Sequence, residues 1–195
     1  MKQVTHEAIL HAGEAVFSEH GFGGARMEDI AERAGVAVGT LYNYFDDRRA
    51  ILDAVLEASA KELSARLSAG LLPPSAPFQA RLERLLTLAA EQVDAHFRIH
   101  AILVEEEIES SRGGVTKRRS PMLSAFFDAA RELVGRAVEE GALRGEDADL
   151  YPSLLSGMVR GLFMRKLLRD DGRPLAFHVP AMTRLFIEGA GRRSA

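Results

Sequence analysis

Residues 34 to 45 read AGVAVGTLYNYF. Thr40, Tyr42, Asn43 and Tyr44 place three hydroxyls and one amide within five positions. Such groups donate to, and accept from, phosphate oxygens and base edges. Gly39 has no side chain, so backbone there can come close to a surface. Arg48 follows near the start of the next helical pattern, where a guanidinium and first-turn backbone N–H groups can hold a phosphate. The chemistry on offer is nucleic-acid contact. Taken alone, the same residues also suit an ordinary solvent-facing turn of helix.

Other chemistry is poorly supplied. The chain has no cysteine, which excludes disulfides and thiolate metal sites. None of its six histidines has a glutamate three residues before it, the spacing a carboxylate-bridged di-iron bundle requires. No P-loop, zincin or nucleophile-elbow pattern occurs, so an enzyme is not expected, nor is a cofactor or metal. His96 and His100 are four apart and share a helical face. With Glu107 they could form a metal site, or His100 could be a polar handle in an apolar pocket; hydrogen-bonded or exposed histidines are the simpler alternative.

The elements that must position these groups are helices throughout, because apolar residues recur at helical spacing and alternating β-branched runs are absent. Thr5 is placed to cap a first helix, whose stripe is Ile9, Leu10, Gly13, Val16 and Phe17 and which Gly21 stops. MEDIAERA, 27 to 34, is a short second helix broken by Gly35. A third runs from about Val38 to Tyr44. Two short helices joined by a glycine turn and packed on a third make a helix-turn-helix. Leu41 and Phe45, four apart, are expected to bury together against Val16 and Phe17 and so hold a segment too short to persist alone. A long fourth helix, capped by Asp46 or Asp47, runs to the GLLPPSAP break at 70 to 77. Helical patterns resume at 77–96, 97–110, 121–140, 148–169 and 176–191. The expected fold is all-α: a three-helix head over residues 1–47, then a bundle over 48–195 joined to it by helix 48–70, about nine helices in total.

The 195 residues allow one domain with a sizeable core or a small module fused to a larger one. The absence of an export signal or a long apolar run leads us to expect a soluble, cytoplasmic protein with no membrane partner. The formal charge of −3 gives no broad basic field. Residues 1 to 60 hold Lys2, Arg26, Arg33, Arg48 and Arg49 against ten acids. Any contact with DNA must therefore come from locally arranged donors.

The stretch THEAILHAGEAVFSEHGFGGARMEDIAERAGVAVGTLYNYFDDRRAILDAVLE, residues 5 to 57, resembles the head of the tetracycline-repressor (TetR) family of transcriptional regulators. Its most specific part is DIAERAGVAVGTLYNYF followed by Arg48, where the family usually has lysine. The resemblance implies that Val38, Gly39 and Thr40 lie at the major-groove end of a recognition helix. It places Tyr42 and Asn43 against bases or backbone with Tyr44 nearby, and has Arg48 neutralise a phosphate. Ala37 stands where the family often caps that helix with serine or threonine, and Ala25 and Arg26 where it often has threonine. Arg26 can add a phosphate contact, and Val38 offers only an apolar surface, for example to a thymine methyl.

The remaining residues are expected to sense and to dimerise. Leu86, Val93, Phe97, His100, Val104, Met122, Phe126 and Phe163 supply the bulk of an adaptable effector pocket, or of plain core. Leu154, Met158, Gly161, Leu162, Arg165 and Phe186 are expected at a homodimer interface, with internal packing as the alternative. The basic run at 117 to 119 fits a surface loop. Together these features point to a repressor that a small lipophilic effector releases from double-stranded operator DNA. An activator of the same family, or a helical ligand-binding or scaffold protein whose head does not bind DNA, remains the alternative.

Overall fold

The structure, a computed structural model, describes residues 2–104 and 121–190. Glu107 and the basic run at 117 to 119 lie outside the described residues. All regular elements among the described residues are helical: α1 Lys2–Gly24, α2 Met27–Ala34, α3 Val38–Tyr42, α4 Arg48–Gly70, α5 Phe78–Ala95, α6 over the described residues 97–104, α7 Pro121–Glu139, α8 Tyr151–Leu168, a 3-10 turn Leu175–His178, and α9 Val179–Ala190. None of these helices is long and apolar enough to cross a membrane.

By internal contacts the described chain forms two units, residues 2–59 with 96–104, and residues 60–95 with 121–190. The division falls inside α4.

In the first unit the apolar stripe of α1 behaves as its spacing predicts. Ile9, Val16 and Phe17 are buried with Ile30 and Ala31 of α2, Leu41 of α3, and Ile51, Leu52, Val55 and Leu56 of α4. Two details differ from expectation. Residues 2 to 4 are already helical, so Thr5 lies inside α1 and does not cap it. Gly21 does break the helix, at φ 68° and ψ 173°, and Phe22 folds back so that its ring centroid is 5.9 Å from that of Phe17. A further segment joins the same core: Ile99 and Ile102 of α6 are buried in it and Leu103 packs against it.

The second unit is a bundle. Leu82, Leu85, Leu86, Leu88 and Val93 of α5 are buried, as are Phe126, Leu133 and Val134 of α7, Leu155 and Phe163 of α8, and Met182 and Phe186 of α9. Asp94 ties its parts together, accepting from Lys166 Nζ at 2.7 Å and from the Leu175 backbone N–H at 2.6 Å. Arg81, buried on α5, pairs with Glu140 beyond the end of α7.

Candidate nucleic-acid interface

The site begins with a turn. Gly35 caps α2 at φ 69° and ψ 30°, a left-handed conformation that costs glycine nothing, and its backbone N–H bonds back to the carbonyls of Ala31 and Glu32. The chain then reverses into α3, which has no side-chain cap at Ala37. Only Val38–Tyr42 are regular α-helix, two residues fewer than expected. Asn43 and Tyr44 instead bond three residues back, to Thr40 and Leu41 at 3.1 and 2.9 Å. This tightening carries the helical turn on to Phe45.

What holds α3 is its apolar side. Leu41 is fully buried and Phe45 nearly so, and Val38 and Tyr44 pack against the same core. The opposite side projects outward: Tyr42 is 49 % exposed, and Gly39 and Asn43 are exposed with Thr40 half-buried. A Cβ added at Gly39 would meet nothing within 4 Å, so the surface there is open.

Three expected contacts take a different form. Tyr44 is half-buried, its ring centroid 6.4 Å from that of His6, so it serves in part as an anchor. Arg48 Nη1 donates to the carbonyls of Gly23 and Ala25 at 3.0 and 3.1 Å, and its guanidinium lies 4.7 Å from the centre of the Phe22 ring. Carbonyls left over where α1 ends need a donor, and Arg48 is the cation within reach. At the start of α4 the Asp47 carboxylate accepts the Ala50 N–H at 2.8 Å, so one of the first-turn donors is already taken. Arg26 has the most exposed guanidinium of the head's ion pairs, at 73 % side-chain exposure and only 3.9 Å from Glu28. Arg33 is held by Glu19 at 2.6 Å, a bond that lowers the Glu19 carboxyl below its usual range and raises the arginine. Arg49 bonds Asp53 at 3.1 Å.

Behind this surface His96 Nδ1 lies 2.5 Å from Glu14 Oε1 of α1. His100 is buried, and loss of solvent, reinforced by the neighbouring His96, lowers its pKa to about 4 against the opposing pull of Glu14. His100 is therefore neutral at neutral pH. No cluster of three metal-binding side chains occurs among the described residues.

The expected pocket residues fall in both units. Leu86, Val93, Phe126 and Phe163 are buried in the bundle with Met122 half-buried, while Phe97, His100 and Val104 belong to the unit that holds the head. A cleft of about 350 Å³ lies between α7 and α8. It is lined on α7 by Leu123, Ser124, Phe127, Asp128 and Arg131, and on α8 by Ser153, Ser156, Gly157 and Arg160. Apart from Phe127 and Gly157, none of these was singled out from sequence. The available signal was the spacing: small residues at 153, 156 and 157 share one helical face and leave it low. Of the expected interface residues, Leu154 is 54 % exposed, Gly161 and Arg165 are exposed, and Met158 and Leu162 half-buried. Phe186 is the exception: it is buried, with its ring centroid 5.5 Å from that of Tyr151 in an edge-on contact.

Residues 9–55 match the family model described as bacterial regulatory proteins, tetR family. The HTH-type transcriptional repressor DhaR of Mycobacterium sp. (strain GP1) is 30% identical over 171 residues, 86% of this chain and 84% of that protein. The HTH-type transcriptional repressor KstR2 of Rhodococcus jostii is 28% identical over 137 residues, and the match covers 70% of this chain and 65% of that relative. The solved structure of the transcriptional regulator FadR from Bacillus subtilis in complex with stearoyl-CoA shares the fold, with a TM-score of 0.75 at 18% identity over 94% of this chain and 98% of that one.

Proposed function

This chain belongs to the tetR family of bacterial regulatory proteins and is a regulator rather than an enzyme; from that premise we propose that it is a repressor released from its operator by a small lipophilic effector. The observation that carries the DNA half is the two-sidedness of α3. Leu41 and Phe45 are buried while Tyr42 and Asn43 project from a surface left open at Gly39. Thr40, Tyr42 and Asn43 reach phosphates and base edges, Val38 offers an apolar edge, and Arg26 adds a phosphate contact. Arg48 mainly holds the head together and presents its remaining donors to the backbone of the duplex.

One head reads only a few base pairs, so the active species is a homodimer whose two α3 helices enter major grooves about 34 Å apart. Support comes from α8 and α9, which carry Leu154, Leu168 and Leu185, and from Leu150 just before α8, each at least half exposed. Gly161 between the turns of α8 allows close helix approach. The effector half is supported by the FadR relative in fold, which was solved with stearoyl-CoA, and the repressor half by transcriptional repressors similar in sequence. Coupling of ~1–3 kcal/mol between effector and operator would change DNA affinity about 5- to 150-fold.

Gel-shift titration with the DNA upstream of the protein's own gene tests this. We expect sequence-specific retention at low salt, and at least tenfold weaker retention for Tyr42→Ala with the fold kept, since about half of that side chain is exposed. No specific retention at low salt would overturn the proposal.

A further inference from the structure

We infer that His6 of α1 is a positioning residue for the DNA-facing segment that begins with α3: its imidazole braces the far end of that segment, at Tyr44 and Phe45, and so fixes how Tyr42 and Asn43 are presented. Positions 6, 9, 13 and 16 share one face of α1. Ile9 and Val16 of that face are buried in the core of the head. His6 continues the face one turn towards the N-terminus, where it is half-buried. There its ring lies against two others. The ring centroid is 5.3 Å from that of Phe45, with the planes inclined at 34°, and 6.4 Å from that of Tyr44, with the planes inclined at 53°. Both separations fall within the ~4.5–7 Å over which aromatic rings attract. Imidazole suits the place, because its body can cover Phe45 while its polar edge tolerates water.

The segment depends on support from outside itself. α3 has five residues, well short of the ~12–15 at which an isolated helix is even marginal in water. Its first end has no side-chain cap. Its last end runs on through Asn43 and Tyr44, whose N–H groups bond three residues back at 3.1 and 2.9 Å, a tighter turn with poorer bond geometry. Within Val38–Tyr42 only Leu41 is buried, so Phe45 is the second apolar anchor, and it is on Phe45 that His6 packs. If Phe45 loosens, the turn at 43–45 can open, and Tyr42 and Asn43 lose their fixed direction. The brace works through the shape of a ring, so another ring at position 6 can replace it and a polar chain cannot.

This rests on the reading of α3 as the DNA-contacting helix, and two measurements on the full chain keep the two separable. The first needs no DNA. Amide hydrogen exchange under native conditions reads local opening. His6→Ala should speed exchange at Asn43, Tyr44 and Phe45 about two- to tenfold, as loss of one aromatic contact does; His6→Phe should restore the slower exchange and His6→Gln should not. The second is a gel-shift titration with the upstream DNA and with an unrelated duplex at one salt concentration. His6→Ala should lower the ratio of specific to non-specific affinity by the same factor, while non-specific affinity, which follows phosphate charge, stays put. A residue that only adds to global stability would leave that ratio unmoved in folded protein. His6→Phe should recover the ratio. Unchanged exchange at 43–45 in His6→Ala overturns the proposal. So does a His6→Phe protein that behaves like the alanine variant, since the ring nitrogens would then be acting directly. Faster exchange with an unmoved affinity ratio overturns positioning and leaves the operator reading intact. Wild-type protein that retains no specific DNA sinks the operator reading, and faster exchange at 43–45 then leaves the brace standing.

Discussion

Gly13 of α1 faces Ile51 and Val55 of α4, and replacing it by alanine separates two opposing effects. A Cβ at Gly13 would lie 2.6 Å from Ile51 Cγ2, 3.7 Å from Phe17 Cε2 and 4.0 Å from Val55 Cγ2. Carbon atoms rest comfortably at ~3.5–4.0 Å, so the first contact is short by roughly 1 Å. Ile51 is fully buried, and its branched Cβ leaves it few alternative rotamers. Overpacking of this kind costs ~1–3 kcal/mol. Alanine in place of glycine inside a helix returns about 1 kcal/mol. The net for Gly13→Ala is thus a loss of about 0–2 kcal/mol. Ile51→Ala removes the clashing methyl, so in that background the same substitution should stabilise by about 1 kcal/mol. The coupling in a double-mutant cycle is then ~1–3 kcal/mol. Urea unfolding followed by circular dichroism, at one fixed protein concentration because subunit association would shift the midpoint, measures all four corners. If Gly13→Ala stabilises both backgrounds equally, the head does not depend on close approach of α1 and α4 at this point.

Two further outcomes follow from the head. The folded pKa of His100, about 4, lies below its ordinary 6.5, so between those values the unfolded chain binds more protons than the folded one. Stability should therefore fall as pH drops from 6.5 towards 4, by on the order of 3 kcal/mol at the bottom of that window. Thermal melts of the protein and of His100→Gln at pH 7 and pH 5 check this: the variant should lose part of the pH dependence, and an equal slope would refute the assignment. Arg48→Ala should cost about 1–2 kcal/mol of stability through the lost bonds to Gly23 and Ala25, and Arg48→Lys should recover little of it because an ammonium lacks the planar fork. Arg26→Ala should leave melting unchanged and lower the salt dependence of operator binding by about one released counterion.

Legibility in the sequence depended on how many elements set a residue's role. Leu41 and Phe45 could be placed inward because a four-residue spacing within one segment settles their face, and the open conformation at Gly35 followed from the residue type alone. Helix limits were legible to within a few residues for the same reason, and missed most where a local bond decided them, as at Tyr44 and at residues 2 to 4. Roles set by two elements were not legible. The bonds of Arg48 to the carbonyls of Gly23 and Ala25 were not legible, because nothing in its own helix shows that they end beside it. Periodicity marks 99, 102 and 103 as an apolar face but does not say which core receives it; the structure packs that face with Ile51, Leu52 and Ile9. Phe186 likewise sits on an apolar stripe whether it faces a partner or Tyr151. The α7–α8 cleft is an instance of the same limit, since a cavity belongs to neither wall, and so is His6, which becomes informative only when Tyr44 and Phe45 lie against it. In an all-helical regulator the residues that hold the fold can be read from one helix at a time, whereas those that bind have to be read from pairs.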